Sequence, residues 1–144
     1  MDLRSQSPRS PRVQLAGYVH LGRMVDKCRA TLNGTLGDYI YPCPMDQLLL
    51  DYTGIAAKSF TEAVKSSSSD EAVAEWFRTT AKPHSETEVA TFNELMLTHG
   101  PDTPDKVASF NKVRDAIDPS RTDITGFADL LDLQEGRPVP RRGL

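Results

Sequence analysis

Apolar residues along the chain recur at three- and four-residue intervals and do not alternate with polar residues over any strand-length window. The pattern shows in Val73, Trp76 and Phe77; in Val89, Phe92, Leu95 and Met96; in Val107, Phe110, Val113 and Ile117; and in Leu130 and Leu131. Such spacing lines one face of a 3.6-residue helix and predicts an all-α, compact helical fold of about six or seven helices. The longest predicted helix covers residues 13–33, with Ser10 as N-cap, Pro11 in the first turn and Gly34 as a left-handed stop. On it Leu15, Tyr18, Leu21, Val25, Cys28 and Leu32 share one arc, which makes this helix the buried centre of the fold.

Punctuation supplies the remaining boundaries. Residues 34–42 form a glycine-bearing connector in which Tyr39, Ile40 and Tyr41 are briefly extended. Pro44 opens a short helix over residues 45–52 that Gly54 ends, and a third helix over residues 57–65 stops at the serine run Ser66 to Ser69. Ser68 with Glu71 and Ser85 with Glu88 read as capping boxes of the fourth and fifth helices, which end near Thr80 and Gly100. Thr103 and Pro104 start a sixth helix over residues 106–117, which Asp118-Pro119 breaks, and Asp123 caps a seventh near residues 124–133. Residues 1–12, with Pro8, Pro11, three arginines and Leu3 as the single large apolar anchor, read as an extended arm docked on one helical domain spanning the chain. Residues 136–144 read as a C-terminal tail. No period of 20 to 50 residues repeats, which disfavours a solenoid.

Composition narrows the function classes. A chain of 144 residues with 38% hydrophobic side chains buries roughly 70% of its unfolded surface and needs neither a disulfide framework nor a structural metal to fold. Its net charge of -3 argues against nucleic acid or anionic lipid as a partner, because such domains read basic. The repeat Ser7-Pro8-Arg9-Ser10-Pro11-Arg12 is more in keeping with a docked arm than with a recognition tail. No apolar run approaches the roughly 18 residues of a membrane span, and the N-terminus lacks a signal-peptide core, so the expected compartment is the cytoplasm.

Two groups of residues carry candidate chemistry. On the first predicted helix Asp26 and Arg29 fall within the apolar arc three residues apart, flanked by Arg23 and Lys27, with His20 on the more polar side. A charged pair in the core must be satisfied, so Asp26 and Arg29 either bridge the arm, the Tyr39 connector or another helix end, or line a pocket for an anion matched to the guanidinium fork. The second group is Tyr41-Pro42-Cys43-Pro44-Met45-Asp46, which sets Cys43 at a helix N-cap, where free N–H groups favour a thiolate. Asp46 adds opposing negative charge and no histidine follows at a telling spacing, so an inert, buried Cys43 is the plainer reading. Cys28 belongs to the core. His20, His84 and His99 lack a ligand-type pattern and predict no metal site, no glycine-rich phosphate loop or serine nucleophile elbow is present, and no cofactor is expected.

With Leu15-x-Gly-Tyr18, Leu21-x-Arg23-Met-Val-Asp26-Lys27-x-Arg29-Ala30, Gly37-Asp-Tyr39, Cys43-Pro-Met-Asp46, Thr53-Gly-Ile55, Asp70-Glu-Ala-Val73-x-x-Trp76 and Leu131-Asp-Leu133 in view, the chain resembles a family of small uncharacterised bacterial proteins, a domain of unknown function. The resemblance implies a soluble bacterial protein whose arm belongs to the domain, and it brings no catalytic residues. The leading functional expectation is therefore a non-enzymatic module for a small anionic ligand or a protein partner, with Arg23, Asp26, Lys27, Arg29, Tyr39 and Asp46 as its site. The competing expectation is a thiol-dependent enzyme or redox sensor that uses Cys43.

Overall fold

Two successive residues with positive φ, Ala16 at 53° and Gly17 at 84°, reverse the chain where the apolar pattern continues a helix. The reversal closes a two-residue hairpin between β1 (Gln14–Leu15) and β2 (Tyr18–Val19), in antiparallel register with Gln14 opposite Val19 and Leu15 opposite Tyr18. Left-handed geometry at both central positions is that of the tight turn whose twist matches paired strands. The first helix is thereby corrected: α1 spans Leu21–Asn33, thirteen residues rather than twenty-one. Ser10 does not cap it. Its N-cap is His20, itself left-handed at φ 71° and making no side-chain capping bond.

The computed structural model describes residues 1–141, so the last three residues of the expected tail, 142–144, lie outside the described residues. Among the described residues six further helices follow: α2 (Pro44–Thr53), α3 (Ala57–Ser66), α4 (Asp70–Thr80), α5 (Glu86–Thr98), α6 (Pro104–Ile117) and α7 (Phe127–Gln134). The fold is all-α apart from the small hairpin. Ser85 and Glu88 form the expected reciprocal capping box. The cap of α4 is Ser69, one residue later than expected, and α7 starts after Gly126 rather than after Asp123. Asp123 instead pairs with Arg121 and Arg141. Gly126 is a close-approach position, since a Cβ there would meet three carbonyl oxygens at the end of α5 at 3.3 to 3.4 Å.

Although shorter than expected, α1 is central, with nine of its thirteen residues buried. Leu21, Met24, Val25 and Cys28 pack with Leu49 and Leu50 of α2, Phe60 and Val64 of α3, Val73 and Phe77 of α4, and Phe92 and Met96 of α5. Each fully buried side chain of this kind contributes roughly 1.5–3 kcal/mol. From the hairpin Tyr18 sets its ring edge-on to Phe77 at 5.4 Å and to Phe92 at 6.2 Å. A smaller cluster of Phe110, Ile124, Leu130 and Val139 lies under α6, and Phe127 touches both clusters. The apolar stripe of α6 is inside only at Phe110: Val107, Val113 and Ile117 remain 39%, 40% and 45% exposed. Leu95 and Trp76 likewise fall short of full burial.

Candidate functional site

The charged residues of the first helix separate into three clusters. Asp26 accepts from the backbone N–H of Arg9 at 2.9 Å and from its guanidinium at 3.1 Å, while Arg9 also reaches Asp70 at 2.8 Å. Arg29 donates to the same Asp70 at 2.8 Å. Asp26 and Arg29 are thus joined through the arm and the start of α4, and not by a direct bond. Arg29 is not sealed in the core, since its side chain and that of Asp70 are 32% and 33% exposed. Arg29→Met is accordingly expected to cost about 1 kcal/mol or less, because Asp70 keeps Arg9. Urea denaturation checks this, and a loss near 3 kcal/mol would restore the buried bridge expected from the sequence.

Arg23 is 2% exposed and donates both guanidinium nitrogens to Glu135, at 2.8 and 2.7 Å. The Tyr39 hydroxyl donates to the same carboxylate at 3.1 Å, and the Arg23 guanidinium lies 5.6 Å from the centre of the Tyr39 ring. Glu135 is held below the usual carboxyl value because these partners outweigh its desolvation. The guanidinium groups of Arg23 and Arg29 are thus matched to carboxylates of the same chain. This matching removes the main observation behind an anion pocket at Arg29.

The third cluster surrounds the thiol. Pro42, in a cis peptide bond with Tyr41, and Pro44 flank Cys43, which caps α2 in a reciprocal box: the Asp46 carboxylate accepts from the Cys43 N–H at 2.9 Å and the sulfur accepts from the Asp46 N–H. Asp46 is fully buried, and its carboxylate also meets His20 Nε2 at 2.6 Å and Lys27 Nζ at 2.7 Å. Lys27, 3% exposed, donates to the Ile40 carbonyl at 3.0 Å and to Cys43 Sγ at 3.1 Å. A lysine ammonium has three protons, and these three partners take them. His20 is 1% exposed, which corrects its expected place on a polar side, and its Nδ1 has no hydrogen-bond partner.

The electrostatics of this cluster favour its charged forms. Burial pushes the Cys43 thiol up, but the neighbouring His20 ring and the charge of Lys27 bring it below its ordinary value. Burial opposes the imidazolium of His20, yet the bond to Asp46 and the nearby Cys43 sulfur raise it above the ordinary histidine value. Asp46 is brought down to about 2, its desolvation outweighed by His20 and Lys27. Asp46 therefore does not act on the thiol as an isolated opposing charge. It is the counter-ion of the Lys27 ammonium beside the sulfur and the hydrogen-bond partner of His20.

Among the described residues, His20, Cys43 and Asp46 form one set with ligand atoms within 4.8 Å of one another, the spacing of a possible metal site. The position a cation would take between sulfur and carboxylate is already filled by the Lys27 ammonium. The set is therefore an ion-pair cluster. Cys43 is only half-buried and lines a pocket of about 290 Å³ together with Met45, His99, Phe127, Leu130 and Leu131, among others.

His20 is the residue that sequence reasoning missed. It precedes Cys43 by 23 positions and sits at the strand-to-helix junction, so no local motif connects the two. One signal was available: residues 20 and 27 are seven apart and fall on nearly the same helical face. A small helical domain with a half-buried thiol backed by a lysine, a histidine and an aspartate is the class that fold and site define. The chain belongs to the family described as "Domain of unknown function (DUF5069)", whose family model matches residues 5–137. No curated protein matches the sequence.

Proposed function

We propose that this domain carries out thiol chemistry, with Cys43 as the nucleophile. The reading is carried by the 3.1 Å contact between Lys27 Nζ and Cys43 Sγ, which places a buried ammonium against the sulfur. A thiolate, unlike a thiol, gains a full ion pair from that contact, and the first turn of α2 adds the positive end of a helix dipole. Asp46, bonded to Lys27 and to His20, holds the ammonium in place beside the sulfur. Cys28 takes no part: it is fully buried, and burial pushes its thiol upward.

Alkylation by iodoacetamide at varied pH tests the reading, with the modified cysteine assigned by peptide mass. Cys43 is expected to react with a half-point below the free-thiol value of about 8.5, and Lys27→Met is expected to move the half-point upward. The wild-type profile needs no variant to fold, so it decides the matter alone. Reaction only above about pH 8.5 would return Cys43 to a capping role.

A further inference from the structure

We propose that the electrophile taken by Cys43 is a thioester bearing a short apolar acyl group, which moves onto the sulfur by thiol exchange. The inference rests on the reading of Cys43 as a nucleophile and adds its substrate class.

The first argument is where the acid–base groups lie. His20, Lys27 and Asp46 are 1%, 3% and 0% exposed; Lys27 donates to the sulfur, the ligand atoms of His20 and Asp46 lie within 4.8 Å of it, and none of the three lines the pocket. They set the charge of the thiol but do not reach a group departing on the pocket side. Amines and alkoxides, including the alkoxide released from a hydroperoxide, are strong bases that leave with a proton supplied by a positioned acid. A thiolate, with a free pKa of about 8.5, leaves without one. His99 does line the pocket, but it is exposed, its ring is tilted against Phe127 at 5.6 Å, and no hydrogen bond among the described residues orients it.

The second argument is the pocket itself. Met45, Phe127, Leu130 and Leu131 give it apolar walls, and its volume of about 290 Å³ is at the small end of ligand sites. An acyl chain of a few carbons suits both properties. The third is a free donor. Met45 is in the first turn of α2, where N–H groups have no intrahelical acceptor. Pro44 has none to offer and the Asp46 N–H is turned to the sulfur. The Met45 N–H is therefore the first-turn donor left for a carbonyl oxygen that gains charge.

The step balances without a further reactant. The Sγ lone pair forms a bond to the carbonyl carbon, and the C=O π pair moves onto oxygen. Re-formation of C=O breaks the carbon–sulfur bond of the thioester, whose electron pair departs on the leaving thiolate. Cys43 becomes an S-acyl cysteine, one thiolate replaces another, and no proton or oxidant is consumed. The reverse step passes the acyl group to a second thiol.

The full chain is incubated with the S-acetyl and S-butyryl thioesters of N-acetylcysteamine, with the matching oxygen ester and with cumene hydroperoxide, and the products on Cys43 are followed by mass spectrometry. Acylation by both thioesters is expected, with butyryl about fifteenfold faster than acetyl, since each of its two additional buried methylenes is worth roughly fourfold. Free N-acetylcysteine at equal thiolate concentration should show no such preference, and the oxygen ester should lag. Equal rates for the two thioesters, or sulfenic acid from the hydroperoxide without acylation, would overturn the proposal. Iodoacetamide labelling below the free-thiol pH without any S-acyl product overturns the substrate class and leaves the nucleophile standing. Absence of both overturns the two together.

Discussion

Asp46→Ala is expected to destabilise the protein by about 3–5 kcal/mol, the cost of breaking a buried ion pair from one side. The carboxylate is fully buried and partners His20, Lys27 and the Cys43 N–H, so its removal leaves the buried Lys27 ammonium short of its counter-ion and His20 short of its partner, and also opens the capping box of α2. Asp46→Asn keeps the shape and part of the hydrogen bonding, and should lose less. Its pH dependence identifies the cause. With Asp46 held at about 2 against an ordinary value of 3.8, the folded state binds this proton less tightly than the unfolded state. The resulting stabilisation, about 2 kcal/mol, is fully present above the unfolded value and is lost as pH falls through about 4 toward 2. The stability gap between wild type and Asp46→Asn in urea should therefore narrow over that acid range. A gap that stays constant from neutral pH to about pH 2.5 would mean that the residue acts through packing alone.

This cluster also marks what the sequence could reveal. The all-α fold was legible because its signals are local: helical spacing of apolar residues, the Ser85–Glu88 box, and the proline starts at Pro44 and Pro104. The hairpin was not, because Leu15, Tyr18 and Val19 fit an apolar helical arc as well as they fit two paired residues on each strand, and only the positive φ at Ala16 and Gly17 decides between them. Cys43 as N-cap, with Asp46 three residues on, was readable from spacing. Its partners were not, because His20 and Lys27 reach it across the packing of α1 on α2. The charge pattern on α1 was visible as a demand for partners, but Asp26 found Arg9, Arg23 found Glu135 and Arg29 found Asp70. Those pairs span 17, 112 and 41 positions, distances at which residue type alone does not choose a partner.

Deletion of residues 1–12 is expected to have the largest effect of any change considered, a loss above about 5 kcal/mol, which is the whole stability of many domains. The arm is held by more than its anchor Leu3, which is 3% exposed. Pro8 and Pro11 are buried as well, and Arg9 and Arg12 enter two networks of matched charge. Arg9 and Arg29 face Asp26 and Asp70 in one network; Arg12, Arg23 and Arg137 face Asp129, Asp132 and Glu135 in the other. Arm backbone joins them too, the Arg9 carbonyl accepting from Arg23 and the Pro8 carbonyl from Arg137. Without the arm the first network loses one of its two arginines, and the second loses Arg12. Because the truncated chain is expected to be largely unfolded, a milder pair of variants isolates the electrostatic part. Arg9→Met removes both guanidinium bonds to Asp26, whose side chain is 8% exposed, and should cost roughly 3 kcal/mol. Adding Asp26→Asn should recover part of that loss, since the carboxylate left with only the arm's backbone N–H is then neutral. Thermal and urea denaturation of the single and double variants measure the coupling. Equal stability of wild type and the 1–12 deletion would show the arm to be a tail, and simple additivity of Arg9→Met and Asp26→Asn would show that apolar anchoring, and not charge, fixes it in place.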